Sequence, residues 1–279
     1  MSVANARRQL GKEIKEILSA CSPTTIEMLH HLIQPAVSKK RIRKALSILR
    51  RDGSVDMLLG GHQTFFYQLS QSLPIREKLA REMNCSSEDF VQPLLRRQDW
   101  FHNQWSQAWE QIIKRSFPEA NIVREHNIGA SDFAKDVLLA EGNDLDLLPD
   151  FLVTFQKTET THAISIAFEI ERTRKSEKRL VRKFRKYLNE TRIDGLIYIC
   201  DSSRLSETIR TLYQTKLLAN SHRVKHYGNH FLLLSDTMSA GAEPLKRFFN
   251  ATGEKVSFDH WCRQLVNTKP TLRRDSQFV

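Results

Sequence analysis

Two carboxylates, Glu169 and Glu171, close the otherwise apolar run ISIAFEIE, and a third, Asp150, follows Leu148-Pro149 nineteen positions before Glu169. Successive side chains of a strand point to opposite faces. Glu169 and Glu171 therefore share one face, and Ile164, Ile166, Phe168 and Ile170 share the other. The pattern predicts a turn into one strand at Asp150 and a second strand ending in two acids. Its apolar face enters a core while the carboxylates project together, and Asp150 joins them if the two strands are neighbours. Hard divalent cations take oxygen ligands, and magnesium usually takes one or two carboxylates plus water and substrate phosphate. Asp150 and Glu169 are the expected ligands of Mg2+ or Mn2+, with Glu171 as a third ligand or a base beside them. Such an ion polarises a phosphodiester and lowers the pKa of bound water. The competing reading of the two glutamates is simple ion pairing with the arginines that follow.

Residues 172–187, RTRKSEKRLVRKFRKY, hold nine basic residues and one acid. Leu180, Val181, Phe184 and Leu188 keep an apolar stripe, which predicts a helix rather than a disordered tail. Its basic side begins at the carboxylates. Arg172, Arg174 and Arg182 are the expected DNA contacts, and Lys175 or Lys183 would offset charge developing on a phosphate. Tyr187 belongs to a normal nucleophile type, in competition with a metal-bound water or a plain packing role. Upstream, residues 100–117 (WFHNQWSQAWEQIIKRSF) read as an amphipathic helix whose aromatics face a core. His102 and Glu110 are its accessory candidates for the site. Asp144 and Asp146 are either extra ligands or solvated loop acids.

The whole chain has the charge balance of a polyanion-binding protein. Its 279 residues include 43 basic and 32 acidic ones, a net charge of +11, and the pI is about 9.6. Four scattered cysteines without a C-x-x-C spacing speak against disulfides and zinc. No apolar run reaches the length of a membrane span, and MSVANARRQL has no signal-peptide core. The expectation is a cytoplasmic protein without membrane insertion.

Residues 1–70 have the order of a winged helix: helices over 8–20, about 26–33 and 39–51, then strands over 55–59 and 64–69 around Gly60-Gly61. Thr25 and Ser38 are the expected N-caps, and Pro35 and Gly53 the stops. The third helix carries Lys39, Lys40, Arg41, Arg43 and Lys44 outward, as a recognition helix for the major groove of double-stranded DNA would. Residues 71–98 read as a helical linker. Residues 99–250 read as helix, strand, strand, strand, helix, strand, helix, strand: an α/β core with a mixed sheet. Within it, strands are expected over 121–128, 195–200 and 231–234, with a helix over 206–218 capped by Ser206. Residues 251–279 are expected to be a partly mobile extension.

The stretches PDFLVTF, FEIERT and KFRKY together resemble the PD-(D/E)xK nuclease superfamily, and more narrowly the replication-relaxation family with its MobC-type plasmid relaxases. The resemblance spans the N-terminal module and residues 99–234. It implies an α+β protein: a winged helix followed by a restriction-endonuclease-like core, with Asp150, Glu169 and Glu171 at the metal site and Arg172, Lys183 and Tyr187 on the family's basic helix. His102 matches a histidine of the family's first helix. The superfamily's usual lysine, two positions after the second acid, is Glu171 here, so Lys175 or Lys183 would have to replace it. The implied activity is nicking of one strand at a plasmid transfer or replication origin. The implied partners are duplex and nicked DNA, an accessory relaxosome protein and a coupling protein. A non-catalytic origin-binding or regulatory protein and a defence-type endonuclease stay open as alternatives.

Overall fold

The computed structural model of the chain describes residues 3–33, 37–60, 63–84, 86–90, 99–128, 148–155, 163–190, 193–220, 228, 230–235 and 244–275. Pro35, Gly61, Asp144 and Asp146, named above, lie outside the described residues. The chain is mixed α/β and divides into two compact units, Met1–Gln111 and Ile112–Val279.

The first unit begins with α1 (Val3–Ala20), α2 (Ile26–Leu32) and α3 (Lys39–Arg51), followed by the hairpin strands β1 (Val55–Leu59) and β2 (Phe65–Leu69). Both expected caps are present: the Thr25 hydroxyl accepts the Met28 N–H, and the Ser38 hydroxyl accepts the Arg41 N–H. Gly53 adopts φ +76°, the left-handed conformation that lets the chain leave α3 and turn into β1. The strands pair antiparallel, with Leu59 opposite Phe65 at the tip. Ile14, Leu18, Leu29, Ile42, Leu46 and Leu69 are buried together between the helices and the hairpin.

Two segments expected elsewhere join this unit. In the span read as a linker, α4 (Leu73–Met83) buries Leu79 and Ala80 in the same core. Residues 100–111 of α5 (Trp100–Ser116) also belong here, so the division falls inside that helix rather than before Asp99. The reason is a pair of buried glutamines. Gln107 accepts the Ser22 N–H at 2.7 Å and Gln104 accepts the Thr25 N–H at 3.1 Å. They satisfy backbone donors of the turn before α2 that burial would otherwise leave unpaired.

Among the described residues the second unit carries one seven-stranded mixed sheet in simple order: β3 (Asn121–Arg124), β4 (Phe151–Phe155), β5 (Ile164–Glu171), β6 (Gly195–Cys200), β7 (Leu232–Ser235), β8 (Phe248–Asn250) and β9 (Lys255–Val256). β5, β6 and β7 run parallel to one another, and the flanking pairs are antiparallel. Parallel neighbours need crossovers, which α7 (Glu177–Asn189) and α8 (Ser203–Lys216) supply. Both helices pack on one face, with Leu180, Phe184, Ile209 and Tyr213 against Leu152, Ala167, Leu196 and Leu234. Several expected boundaries shift. The strand expected over 121–128 ends at Arg124 and gives way to a helical turn, α6 (Glu125–Ile128). The basic helix starts at Glu177 behind the cap Ser176, which leaves Arg172, Arg174 and Lys175 in the connection before it. α8 is capped by Ser202, and Ser206 is buried inside it.

The other face is aromatic. Phe151 stacks on Phe168 at 4.5 Å, and Phe258 approaches Phe117, Phe155, Phe168 and Phe248. Phe258 opens α9 (Phe258–Asp275), and β9 and the start of α9, within the residues read as a partly mobile extension, pack into this unit. Trp261 is fully buried and its indole N–H donates to the His230 carbonyl at 2.5 Å. A Cβ on Gly195 would lie 2.4 Å from the Trp261 ring, so β6 must begin with glycine for the ring to lie on its backbone. No helix among the described residues is long and apolar enough to cross a membrane.

Trp261→Ala should lower the stability of the second unit by about 3–5 kcal/mol, the usual cost of emptying a buried aromatic site. Urea unfolding followed by circular dichroism measures it; a residue on a loose tail would leave the midpoint unchanged.

Candidate active site

Asp150, Glu169 and Glu171 come together at one end of the adjacent strands β4 and β5. Phe151 lies opposite Phe168, so the register continued by one residue sets Asp150 opposite Glu169. The Asp150 N–H donates to the Phe168 carbonyl at 3.0 Å. One Asp150 carboxylate oxygen accepts the Ile170 N–H at 2.5 Å, taking a place where the strand ladder would otherwise run out of carbonyls. Asp150 is thus fastened to β5 by its own side chain.

The acids do not project into solvent as the alternating pattern suggested. All eight residues of β5 are buried, Glu169 at 4 % and Glu171 at 6 % exposure. β5 lies inside the sheet with a helical layer over the acid face and aromatics over the other, and a strand covered on both faces exposes neither. A carboxylate moved into such a place strongly favours its neutral form unless charge or hydrogen bonds compensate. Burial accordingly lifts the Glu169 pKa to about 7, against the opposing pull of Lys183; the negative charge of Asp150 raises it further. Glu171 is also raised, again by burial, and is drawn down by Lys175 and Lys183.

α7 supplies the compensation. Lys183 donates to one Glu169 oxygen at 2.5 Å and Tyr187 to the other at 2.6 Å. Residues four apart lie on the same side of a helix, so a K-x-x-x-Y spacing can hold both oxygens of a single carboxylate. Lys175 reaches Glu171 at 3.6 Å from the connection before α7. Both lysines considered for the missing motif lysine therefore lie at the acids, and Lys183 makes the closer contact. Tyr187 is fully buried, and burial together with the adjacent Glu169 pushes its hydroxyl pKa well above the usual tyrosine value. Its hydroxyl is spent on Glu169, which is the geometry of a positioning residue.

Arg174 and Arg182 are exposed and Arg172 is half-buried. On α3, Lys39, Lys40, Arg41, Arg43 and Lys44 are all exposed. His102 is half-buried and Glu110 buried, and both belong to the first unit while the acids belong to the second. The sequence reading missed Tyr198. It lies on β6 in register with Glu169, its ring edge-on to Phe184, and its buried hydroxyl has no hydrogen-bond partner among the described residues. The alternation of Leu196, Tyr198 and Cys200 held this information, but only the parallel register sets Tyr198 beside Glu169.

Among the described residues no three of His, Cys, Asp and Glu are arranged to hold a metal ion. The donors do not form a three-acid cage. The all-oxygen pair Asp150 and Glu169 does fit the chemistry of Mg2+ or Mn2+, which take one or two carboxylates and complete their shells with water and phosphate. Lys183 and Tyr187 each take one lone pair of a Glu169 oxygen, and the second lone pair of each oxygen is what the carboxylate can offer to such an ion. No known protein family, curated protein or solved structure matches this chain.

The buried charge has a measurable cost. A carboxyl whose pKa rises from 4.5 to about 7 on folding keeps its proton longer in the folded state. Stability is then greatest below the unfolded value and falls as pH rises through about 7. Glu169→Gln, which imitates the protonated acid, should be more stable than the parent at pH 8 by up to about 3 kcal/mol, each pKa unit being worth about 1.4 kcal/mol. The difference should vanish below pH 4.5, as read from urea midpoints across the pH range.

Proposed function

We propose that the chain is a metal-dependent DNA nickase of the PD-(D/E)xK type, which a winged-helix module brings to duplex DNA at a plasmid transfer or replication origin for mobilisation. The observation that carries this reading is the meeting of Asp150 from β4, Glu169 from β5 and Lys183 from α7. An acid at the start of one strand, an acid on its antiparallel neighbour and a lysine beside the second acid are the parts a phosphodiesterase of this type needs. The lysine comes from the helix because Glu171 occupies its usual strand position. The restriction-endonuclease-like description of the core rests on the order β3-β4-β5-α7-β6 and on these residues.

In this reading Asp150 and Glu169 are the metal ligands, and Glu171 stands beside them as base or further ligand. A bound Mg2+ or Mn2+ would supply Lewis-acid polarisation of the scissile phosphate and a water of lowered pKa. Lys183 balances the charge of the acids and is the lysine proposed to face an incoming phosphate oxygen. Tyr187 holds Glu169 in place and is not the nucleophile, which leaves water in that role and a free 5′ phosphate as the product. Arg172, Arg174 and Arg182 are proposed backbone contacts of the cut strand, and α3 is the proposed major-groove element. An accessory relaxosome protein and a coupling protein would complete the assembly.

A second reading has its own support. Both Glu169 oxygens are held by the protein's own Lys183 and Tyr187, the arrangement expected of a charge-balanced scaffold in a non-catalytic origin-binding protein.

A nicking assay separates these readings. Supercoiled plasmid carrying the DNA that flanks the gene is incubated with the protein and Mg2+, Mn2+ or EDTA, with a protease step to reveal any adduct. The nickase reading expects metal-dependent open circles without a protein adduct. Asp150→Ala and Glu169→Gln should cut at least about 100-fold more slowly, the scale on which removal of a positioned charged group acts. Linear product would instead indicate a defence-type endonuclease. Tight, specific binding without cleavage, with any accessory protein supplied, would leave the scaffold reading standing.

A further inference from the structure

We infer that the groove between α1 and α3 is a docking site for an acidic amphipathic helix of a partner protein. Residues of both helices line a trough of about 840 Å³. Leu10, Gly11, Ala45, Ile48 and Leu49 form its apolar floor, and Arg7, Arg8, Lys12, Lys15, Lys40, Arg41 and Lys44 surround it, with no acid in the lining. Lys12 pairs with Glu16, and Lys15 with Glu82. Arg7, Arg8, Lys40, Arg41 and Lys44 form no ion pair among the described residues.

Two observations favour a helix over a nucleic-acid backbone. First, the floor is apolar. Ile48 is 42 % exposed, among the few large apolar side chains so open to water, and phosphates gain nothing from covering it whereas leucine-like side chains do. Gly11 contributes to the same opening. A Cβ there would meet only Leu49, at an ordinary 3.9 Å, so packing does not require glycine at this mid-helix position. Glycine costs about 1 kcal/mol relative to alanine in a helix interior, and what it provides here is floor space.

Second, the cations of α3 form two stripes. Lys39, Arg43 and Arg50 recur at helical spacing on the side of α2 and β2: Lys39 pairs with Glu27, and the charges of Arg43 and Arg50 act on Tyr67. Lys40, Arg41 and Lys44 lie instead on the side of α1, with Ile48. A helix-turn-helix presents its recognition helix to the groove alongside the preceding helix, which makes the first stripe the DNA face and leaves the second unused. This step rests on the winged-helix reading above. The lined stretch of α1, from Ala6 to Lys15, is about 14 Å long at 1.5 Å per residue. That is room for two to three turns of a guest helix with anchors at i, i+3 or i+4, and i+7. A second copy of this chain would carry a further +11 charge to a basic rim, so the complementary guest is a different, acidic protein.

The test uses the full-length protein and a fluorescent peptide of roughly 18 residues, long enough to form a helix, with leucines at helical spacing and glutamates elsewhere. A scrambled peptide of equal composition and a duplex of about 20 base pairs are the comparisons, all read by anisotropy. The expected result is binding of the helical peptide and not of the scrambled one, beside binding of the duplex at its own face. That binding should weaken at least about tenfold in both Gly11→Leu, which fills the floor, and Ile48→Ser, which removes apolar surface at an exposed position without adding charge. Duplex affinity should stay unchanged in both and fall in Arg43→Ala. Absence of peptide binding, equal binding of the scrambled peptide, or indifference to both floor variants would overturn the proposal. So would loss of duplex affinity in the floor variants, which would give the groove to nucleic acid. A duplex affinity untouched by Arg43→Ala would instead count against the DNA face while leaving the peptide result to stand.

Discussion

A carboxylate beneath a helix, sealed from water on a strand inside a sheet, cannot carry charge without a partner. Glu169 is that carboxylate, and the second unit is arranged around its accommodation. Lys183 and Tyr187 reach its two oxygens from successive turns of α7, and Asp150 adds a like charge from the neighbouring strand. The outcome is a balance rather than neutrality: burial outweighs the lysine, and the carboxyl is left with a midpoint near neutral pH. Such a group is expensive as a structural element, which is the physical argument for giving it a chemical role.

The sheet makes this burial possible. β5 has an antiparallel neighbour on one edge and a parallel one on the other; the parallel pair needs a crossover, and its helix α7 returns over the face that carries the acids. The opposite face is sealed by stacked phenylalanines and by α9, which arrives from the far end of the chain. Asp150 and Tyr198 become neighbours of Glu169 through strand register alone. The first unit solves a different problem, that of holding short helices around a small core while leaving many cations in water. Its hairpin, α4 and two buried glutamines of α5 all serve to close that core.

Much of this organisation was legible in the sequence. Thr25 and Ser38 announce helix starts because a hydroxyl there satisfies an otherwise orphaned N–H, and that chemistry is local. The alternation in ISIAFEIE announces a strand with its acids on one side, and Lys183 and Tyr187 could be assigned to a single helix. The shifted or missed features all depend on distant partners. Nothing near Phe258 or Trp261 indicates that they complete a core around Phe151, Phe168 and Gly195, so the segment read as a tail. Gln104 and Gln107 look like solvated residues until the turn at Ser22–Thr25 supplies donors. The helix over 172–187 starts late because Ser176, rather than a residue next to the acids, provides the cap.

The sequence by itself determined the local elements, the sign and placement of the charges, and the gathering of acids and bases within a short span, because these follow from side-chain periodicity and from chemistry between near neighbours in the chain. The tertiary structure decided what those residues meet. Covering both faces of β5 turned projecting acids into buried ones, and the register of β4 and β6 against β5 chose Asp150 and Tyr198 as their company. The packing of α3 against α1 on one side and α2 on the other turned one run of basic residues into two separate surfaces. Burial and register depend on parts of the chain far apart in sequence, so no local pattern could have carried them.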